Sequence, residues 1–149
     1  MAVNAVHVDT PVESVFAVLV DPRTYPEWLA GAKHIRAVDD DWPAVGSKFH
    51  HQVGIGPIRV NDDTKVLEID RPNRLVLEVR ARPVGRGKTT FVLRQDGDGC
   101  TLTVEEHPLQ TPLRFLTDPV LDASIHLRNE GSLKRLKKLV EARSGDRTP

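Results

Sequence analysis

The feature that most constrains the fold is a succession of strand-like segments in the middle of the chain. Short stretches rich in glycine, proline, asparagine and aspartate separate these segments. The segments cover residues 45 to 53, 57 to 69, 74 to 82, 88 to 95 and 100 to 107. Short turns join antiparallel neighbours, whereas parallel strands need a long crossover. The pattern therefore predicts an antiparallel sheet in which consecutive strands lie side by side.

Two further strands and two short helices precede this region. Residues 3 to 9 and 33 to 38 alternate well enough to be strands, which brings the predicted sheet to seven strands. Apolar residues then recur at helical spacing at Val12, Val15, Phe16, Leu19 and Val20. This spacing predicts a first short helix from Pro11 to Val20, which Thr10 and Glu13 would begin as a capping box. Asp21 and Pro22 would cap a second short helix, through Tyr25 to Leu29.

The last long stretch, residues 111 to about 143, predicts a C-terminal helix. Its buried face would collect Leu121, Asp122, Ile125, Asn129, Ser132, Leu133, Leu136, Leu139 and Val140. A helix that only packs on a core is expected to be apolar along that whole face. The polar residues in its first turns therefore indicate the border of a cavity, although a connector followed by an ordinary core helix is the alternative. The helix begins at Asp118, or it begins at Thr111 and bends at Pro119.

Composition limits the functional classes. The 21 basic and 21 acidic residues cancel, so no overall field favours nucleic acid, and we expect no nucleic-acid partner. Cys100 is the single cysteine, which fits a reducing compartment and a cytoplasmic location. We find neither a long apolar run nor a signal-like N-terminus, and we expect no integral membrane contact. We expect one domain over residues 1–143, a flexible tail over 144–149, and a monomer or homodimer.

Four segments of this chain resemble the START/Bet v 1-like (SRPBCC) superfamily, and in particular its polyketide cyclase/dehydrase-like branch. The segments are Thr10-Pro-Val-Glu-Ser-Val-Phe16, Asp21-Pro-Arg-Thr-Tyr-Pro-Glu-Trp28, Val66-Leu-Glu-Ile-Asp-Arg-Pro-Asn-Arg-Leu75 and Asp98-Gly-Cys-Thr-Leu-Thr103. The resemblance covers nearly the whole chain. It implies an α+β helix-grip fold, in which a seven-stranded antiparallel sheet wraps around a long C-terminal helix and leaves a pocket for a hydrophobic ligand.

Strand alternation predicts which residues face the pocket. From the sheet and the helix together, the expected ligand contacts are Phe49, His51, Val60, Asp62, Leu77, Val79, Thr89, Phe91, Val104, Glu106, Asp122, Ile125 and Asn129. Simple hairpins would pair Val53 with Ile58, Val66 with Leu77, Val79 with Phe91 and Leu93 with Leu102. The same register would align Phe49, Asp62, Ala81, Thr89 and Glu106 in one row, with Asp62 and Glu106 roughly 14 Å apart at about 4.8 Å per strand.

Three of these residues are candidates for chemistry. Asp62 and Glu106 would place carboxyl groups at the rim of an apolar pocket, where desolvation raises a carboxyl pKa. His51 would lie diagonal to Asp62 and could take part in proton transfer. Alternatively, both acids face solvent and His51 is a packed core residue. The spacing of histidine, cysteine and acidic residues favours no metal site, and we expect no cofactor.

The sequence thus predicts a protein that binds a small hydrophobic or aromatic molecule, similar to a lipid or a polyketide. Two alternatives stay open. The first is a cofactor-independent cyclase, dehydratase or hydrolase that uses the pocket acids and His51. The second is a regulatory or toxin-like protein that acts through a protein partner.

Overall fold

A computed structural model describes residues 2–30, 32–55, 57–81, 85–110 and 119–146. Its strands are β1 (Ala2–Val8), β2 (Ala32–Val38), β3 (Lys48–Ile55), β4 (Ile58–Asp70), β5 (Arg74–Ala81), β6 (Gly85–Asp96) and β7 (Gly99–Gln110). Its α-helices are α1 (Val12–Leu19), α2 (Tyr25–Trp28) and α3 (Pro119–Asp146), and a 3-10 turn at Pro22–Thr24 precedes α2. The predicted order of elements is confirmed.

The seven strands form one sheet in the order β1-β7-β6-β5-β4-β3-β2. Every neighbouring pair is antiparallel, because short connections join consecutive strands and β1 returns to pair with β7. The α+β helix-grip architecture is therefore confirmed, with two short helices between β1 and β2. None of the helices in the described ranges is long and apolar enough to cross a membrane.

The core lies between the inner face of the sheet, α1 and the second half of α3. Its largest fully buried side chains include Phe16, Leu19, Leu93, Leu102 and Leu136. Helix α1 packs over β6 and β7, and α3 runs closest to β1 and α2. These contacts cover one end of the curved sheet with apolar side chains.

The start of α1 differs from the predicted capping box. The helix has no side-chain cap from its own N-terminal segment, and the buried Thr10 hydroxyl has no hydrogen-bond partner among the described residues. The side chain of Gln95 on β6 supplies the cap instead, because its Oε1 accepts a hydrogen bond from the backbone N–H of Val12 at 3.1 Å. The other predicted cap is present, since Asp21 Oδ1 accepts a hydrogen bond from the backbone of Arg23.

Helix α3 begins at Pro119 in the described residues and continues past Arg143 to Asp146. The alternative start at Thr111 falls outside the described ranges. The predicted stripe is buried at Asn129, Ser132, Leu133, Leu136 and Val140 and half-buried at Ile125 and Leu139. Polar contacts fix its second half: Arg135 Nε donates to the carbonyl of Trp28 at 3.0 Å, and Lys137 Nζ donates to the carbonyl of His7 at 2.6 Å.

The predicted register is right for Val66 with Leu77 and for Leu93 with Leu102. It is wrong elsewhere, because the hairpin turns are tighter than the turn residues suggested. Ile58 pairs with Ile55, and Val53 pairs with Val60. On the β5–β6 hairpin the ladder extends to Ala81 and Gly85, so Val79 lies opposite Gly87. Phe91 accordingly lies opposite Leu75.

The predicted row of five residues is therefore wrong as a whole. Phe49 lies opposite Thr64, and Asp62 lies opposite His51. Thr89 pairs with Glu106 as predicted, but on its other side it faces Leu77 instead of Ala81. Asp62 and Glu106 consequently belong to different rows of the inner face, because a shift in register moves every residue of a strand together.

Candidate ligand site

The inner face of the sheet becomes more exposed in the same direction along four neighbouring strands. At the end beneath α1, the inward residues are fully buried, and these are Val66, Leu75, Leu93 and Leu102. Towards the β3–β4 and β5–β6 hairpins, several inward residues are only half-buried, namely Val60, Val79 and Glu106. The inner face is thus closed at one end and more accessible at the other.

A polar cluster of His51, Asp62 and Thr64 lies just below the accessible end. Alternation places all three on the inner face, and their exposures are 6%, 3% and 2%. Asp62 is directly opposite His51, and Thr64, the next inward residue of β4, is diagonal to His51. Diagonal side chains are within reach of each other in an antiparallel pair. His51 Nε2 lies 3.1 Å from Thr64 Oγ1, which is a hydrogen-bonding distance.

Burial lowers the pKa of His51 from its ordinary value of 6.5. The Asp62 carboxylate, a hydrogen bond to the backbone at Asp63 and the Asp63 carboxylate oppose this effect, while the exposed Arg36 guanidinium adds to it. Burial is the largest of these effects and disfavours the charged ring. A neutral imidazole has one donor and one acceptor nitrogen. A neutral histidine beside a buried carboxylate and a hydroxyl can bind a polar group or move a proton.

A second polar group lies on β6 and β7. Thr89 pairs with Glu106, and Glu106 Oε1 lies 3.4 Å from the guanidinium of Arg128 on α3. The Arg128 side chain is about half exposed, so this ion pair is at the outer border of the site. Glu106 is thus held by α3 at the rim and is separated from Asp62 by the apolar residues of β5.

Helix α3 carries two further predicted contacts, Asn129 and the half-buried Ile125. Asn129 is buried, and its Nδ2 has no hydrogen-bond partner among the described residues. The side chain of Asp122, a predicted contact, falls outside the described part. Ser132 has a structural role that the sequence did not indicate, because its hydroxyl accepts a hydrogen bond from the backbone of Ala30 at 3.0 Å.

An aromatic cluster borders the polar cluster. Phe49 has its ring centroid 5.0 Å from both Tyr25 and Trp42, and 5.3 Å from His51. The edge-to-face angles are typical of stable aromatic packing. Hydrogen bonds to backbone carbonyls fix Tyr25 and Trp42, and burial raises the pKa of Tyr25 well above its ordinary value. These rings belong to the core and hold β3, with His51, in place.

The predicted contacts thus divide by depth. Phe49, Leu77, Phe91 and Val104 are buried in the core. Val60, Val79 and Ile125 are half-buried at the accessible end. Thr64 is not among the predicted contacts, although strand alternation also puts it on the inner face with Asp62. Only the register reveals its importance, because it brings the Thr64 hydroxyl to the His51 ring.

A separate groove of about 340 Å³ lies between β1 and α3. Its walls are Val3, Asn4, Ala5 and Val6 on the strand and His126, Glu130, Leu133 and Lys134 on the helix. The described residues contain no group of three or more histidine, cysteine or acidic side chains that could hold a metal ion.

The curved antiparallel sheet, the long C-terminal helix and the half-open inner face define a helix-grip domain of the START/Bet v 1-like (SRPBCC) superfamily. A family model agrees and is more specific. The model described as "Polyketide cyclase / dehydrase and lipid transport" matches residues 2–141, and the chain belongs to this family. No curated protein matches the chain.

Solved structures share the fold at low identity. Protein CV1439 from Chromobacterium violaceum is 20% identical, with a TM-score of 0.70, over 95% of this chain and 99% of that one. Ara h 8.0201 is 12% identical, with a TM-score of 0.73, over 94% and 96%. The di-domain ARO/CYC StfQ from the steffimycin biosynthetic pathway is 14% identical, with a TM-score of 0.73. The match covers 96% of this chain and 51% of StfQ, so the chain spans about half the length of StfQ.

Proposed function

We propose that this protein binds a small hydrophobic or aromatic molecule at the accessible end of the inner face, in a cavity between the sheet and α3. The observation that carries the proposal is the change in exposure along the inner face, from fully buried Val66 to half-buried Val60 on the same strand. Ligand sites are concave, mostly apolar and contain a few placed polar groups. Val60 lies two residues beyond Asp62 on β4, and Val79 lies directly opposite Thr64, so both offer apolar contacts beside the polar cluster of His51, Asp62 and Thr64. Ile125 on α3 is a third half-buried apolar side chain. Family membership supports the same class of ligand.

Native mass spectrometry of freshly purified protein tests the proposal directly, because a resident ligand adds a defined mass. Nile red, a neutral apolar dye, provides a second readout through its fluorescence. We expect Val79→Trp to fill the accessible end and to weaken dye binding by more than about 10-fold, since a bulky side chain occupies the ligand's volume. Arg80→Trp is the matched control, because Arg80 is the next residue of β5 and faces the opposite side, near Asp63.

The proposal fails if no ligand is carried, no apolar probe binds, and Val79→Trp behaves like the control. A protein that acts only through a protein partner would give this result and would retain a specific partner in pull-down experiments. The distinction matters because an inner face that is filled by its own side chains would leave no room for a ligand.

A second candidate function is a cofactor-independent enzyme of the cyclase, dehydratase or hydrolase type. The neutral His51 ring beside Asp62 and the Thr64 hydroxyl favours it, because such a ring can accept and return a proton. Asp62→Asn, Glu106→Gln and His51→Ala would then abolish turnover while ligand affinity stays within a few fold. Full turnover in all three variants would leave only the binding function.

A further inference from the structure

We infer that the ligand presents a neutral hydroxyl group, phenolic or alcoholic, to the polar cluster of His51, Asp62 and Thr64, and that the site discriminates against carboxylates. This inference rests on the proposed function and makes its ligand class more specific. It follows from the hydrogen-bonding capacity and the charge of the inner face.

The hydrogen-bonding argument depends on the Thr64 hydroxyl. If His51 Nε2 is the acceptor nitrogen, the hydroxyl donates to it and keeps two lone pairs. If Nε2 carries the proton, the hydroxyl oxygen accepts one hydrogen bond from the ring and keeps one lone pair. In both tautomers Thr64 Oγ1 can accept a further hydrogen bond. The cluster therefore suits a ligand that brings an O–H donor.

The charge argument depends on which ionisable groups face inward. The acids Asp62 and Glu106 lie on the inner face, whereas no lysine or arginine occupies an inward position in the described parts of β3 to β7. Of the cations on other elements, Arg128 is at the rim and already faces Glu106, and Arg36 on β2 is exposed. A ligand carboxylate beside Asp62 would meet a like charge where the low dielectric strengthens repulsion, and the lowered pKa of His51 provides no compensating cation.

Three probes of similar size separate these effects, namely 2-naphthol, 2-methoxynaphthalene and 2-naphthoate. Titration calorimetry of the intact protein at pH 7.5 gives each dissociation constant. We expect the methyl ether to bind about 5-fold more weakly than the alcohol, because it lacks the donor for one hydrogen bond. The carboxylate should bind at least about 10-fold more weakly than the alcohol, because its charge is desolvated without a partner.

Variants test whether the polar cluster causes the preference for the alcohol over the methyl ether. Thr64→Val keeps the shape of the side chain and removes its oxygen, so it should abolish the preference for the alcohol over the methyl ether. Thr90→Val is the matched control, because Thr90 is also buried but belongs to the outward-facing set of β6, and it should keep the preference. His51→Gln retains an amide that can reach Thr64, and it should restore part of a preference that His51→Leu removes.

The outcomes separate this inference from the proposed function. If all three probes bind with similar affinity, or if the carboxylate binds best, the protein is a hydrophobic ligand binder and this inference is overturned. If none of the probes binds and no apolar dye binds, the proposed function fails and the inference fails with it. A preference for the alcohol that survives Thr64→Val also contradicts the inference, because the hydroxyl is then recognised elsewhere.

Discussion

Gln95 on β6 caps the first turn of α1, because its Oε1 accepts a hydrogen bond from the backbone N–H of Val12 at 3.1 Å. The two residues are far apart in the sequence, and the contact joins the closed end of the sheet to the helix that covers it. The Thr10 hydroxyl, which the sequence pattern assigned to this task, is buried without a partner among the described residues.

This arrangement reverses the expected effects of two substitutions. Gln95→Ala should lower the free energy of unfolding by about 1 kcal/mol, the usual cost of losing a helix cap. Thr10→Val should change it by less than about 0.5 kcal/mol or stabilise the protein, because it removes a buried hydroxyl without a partner. Urea denaturation of both variants measures the difference. A larger loss of unfolding free energy in Thr10→Val than in Gln95→Ala would instead show that Thr10 caps the helix, as the capping box predicts.

The pH dependence of stability should contain a contribution from His51. Its pKa is lowered by burial in the folded protein, so the unfolded chain binds the proton more readily. Stability from the neutral ring is therefore fully present above about pH 6.5, the ordinary value, and it declines as the pH falls towards the lowered folded pKa. Denaturation at a series of pH values should show this decline, and His51→Gln should remove it.

His50→Gln is the control for that experiment. His50 is the preceding residue of β3, faces the opposite side of the sheet and lies 3.5 Å from Asp39. The His51 contribution should persist in this variant. An equal flattening of the pH profile in both variants would show that the decline does not come from the buried ring.

Ser132 should stabilise the protein through its hydrogen bond with Ala30. Ser132→Ala leaves a backbone N–H without its partner, and we expect a loss of about 1 to 2 kcal/mol in the free energy of unfolding. Lys138→Ala, an exposed position on the same helix, should cost less than about 0.5 kcal/mol. Calorimetric unfolding measures both, and comparable losses would indicate a general effect on helix α3 instead of a specific contact.

The two halves of α3 should respond differently to truncation of their apolar side chains. Leu136 is fully buried against the core, so Leu136→Ala should cost about 2 to 5 kcal/mol. Ile125 is half-buried at the accessible end, so Ile125→Ala should cost clearly less and should weaken the binding of an apolar dye instead. Similar stability losses in both variants would mean that the first half of the helix is as firmly packed as the second.

Much of the candidate site could be predicted from residue patterns. Alternation along β3 and β4 correctly placed His51, Asp62 and Thr64 on the inner face, because side-chain direction in a strand follows from local geometry. The helical stripe also identified Asn129, Ser132 and Leu136 as buried. It did not identify the purpose of Ser132, since its partner Ala30 lies in a distant segment.

The sequence by itself determined the order of the elements, their antiparallel pairing and the two faces of the sheet. These properties depend on short connections and on periodicities of two and 3.6 residues, which each segment carries independently. The tertiary structure decided the register of the β3–β4 and β5–β6 hairpins, the cap of α1 and the pairing of His51 with Asp62 and Thr64. Each of these depends on how tightly a turn closes or on which distant side chain arrives beside a backbone group, and neither is encoded in one segment alone.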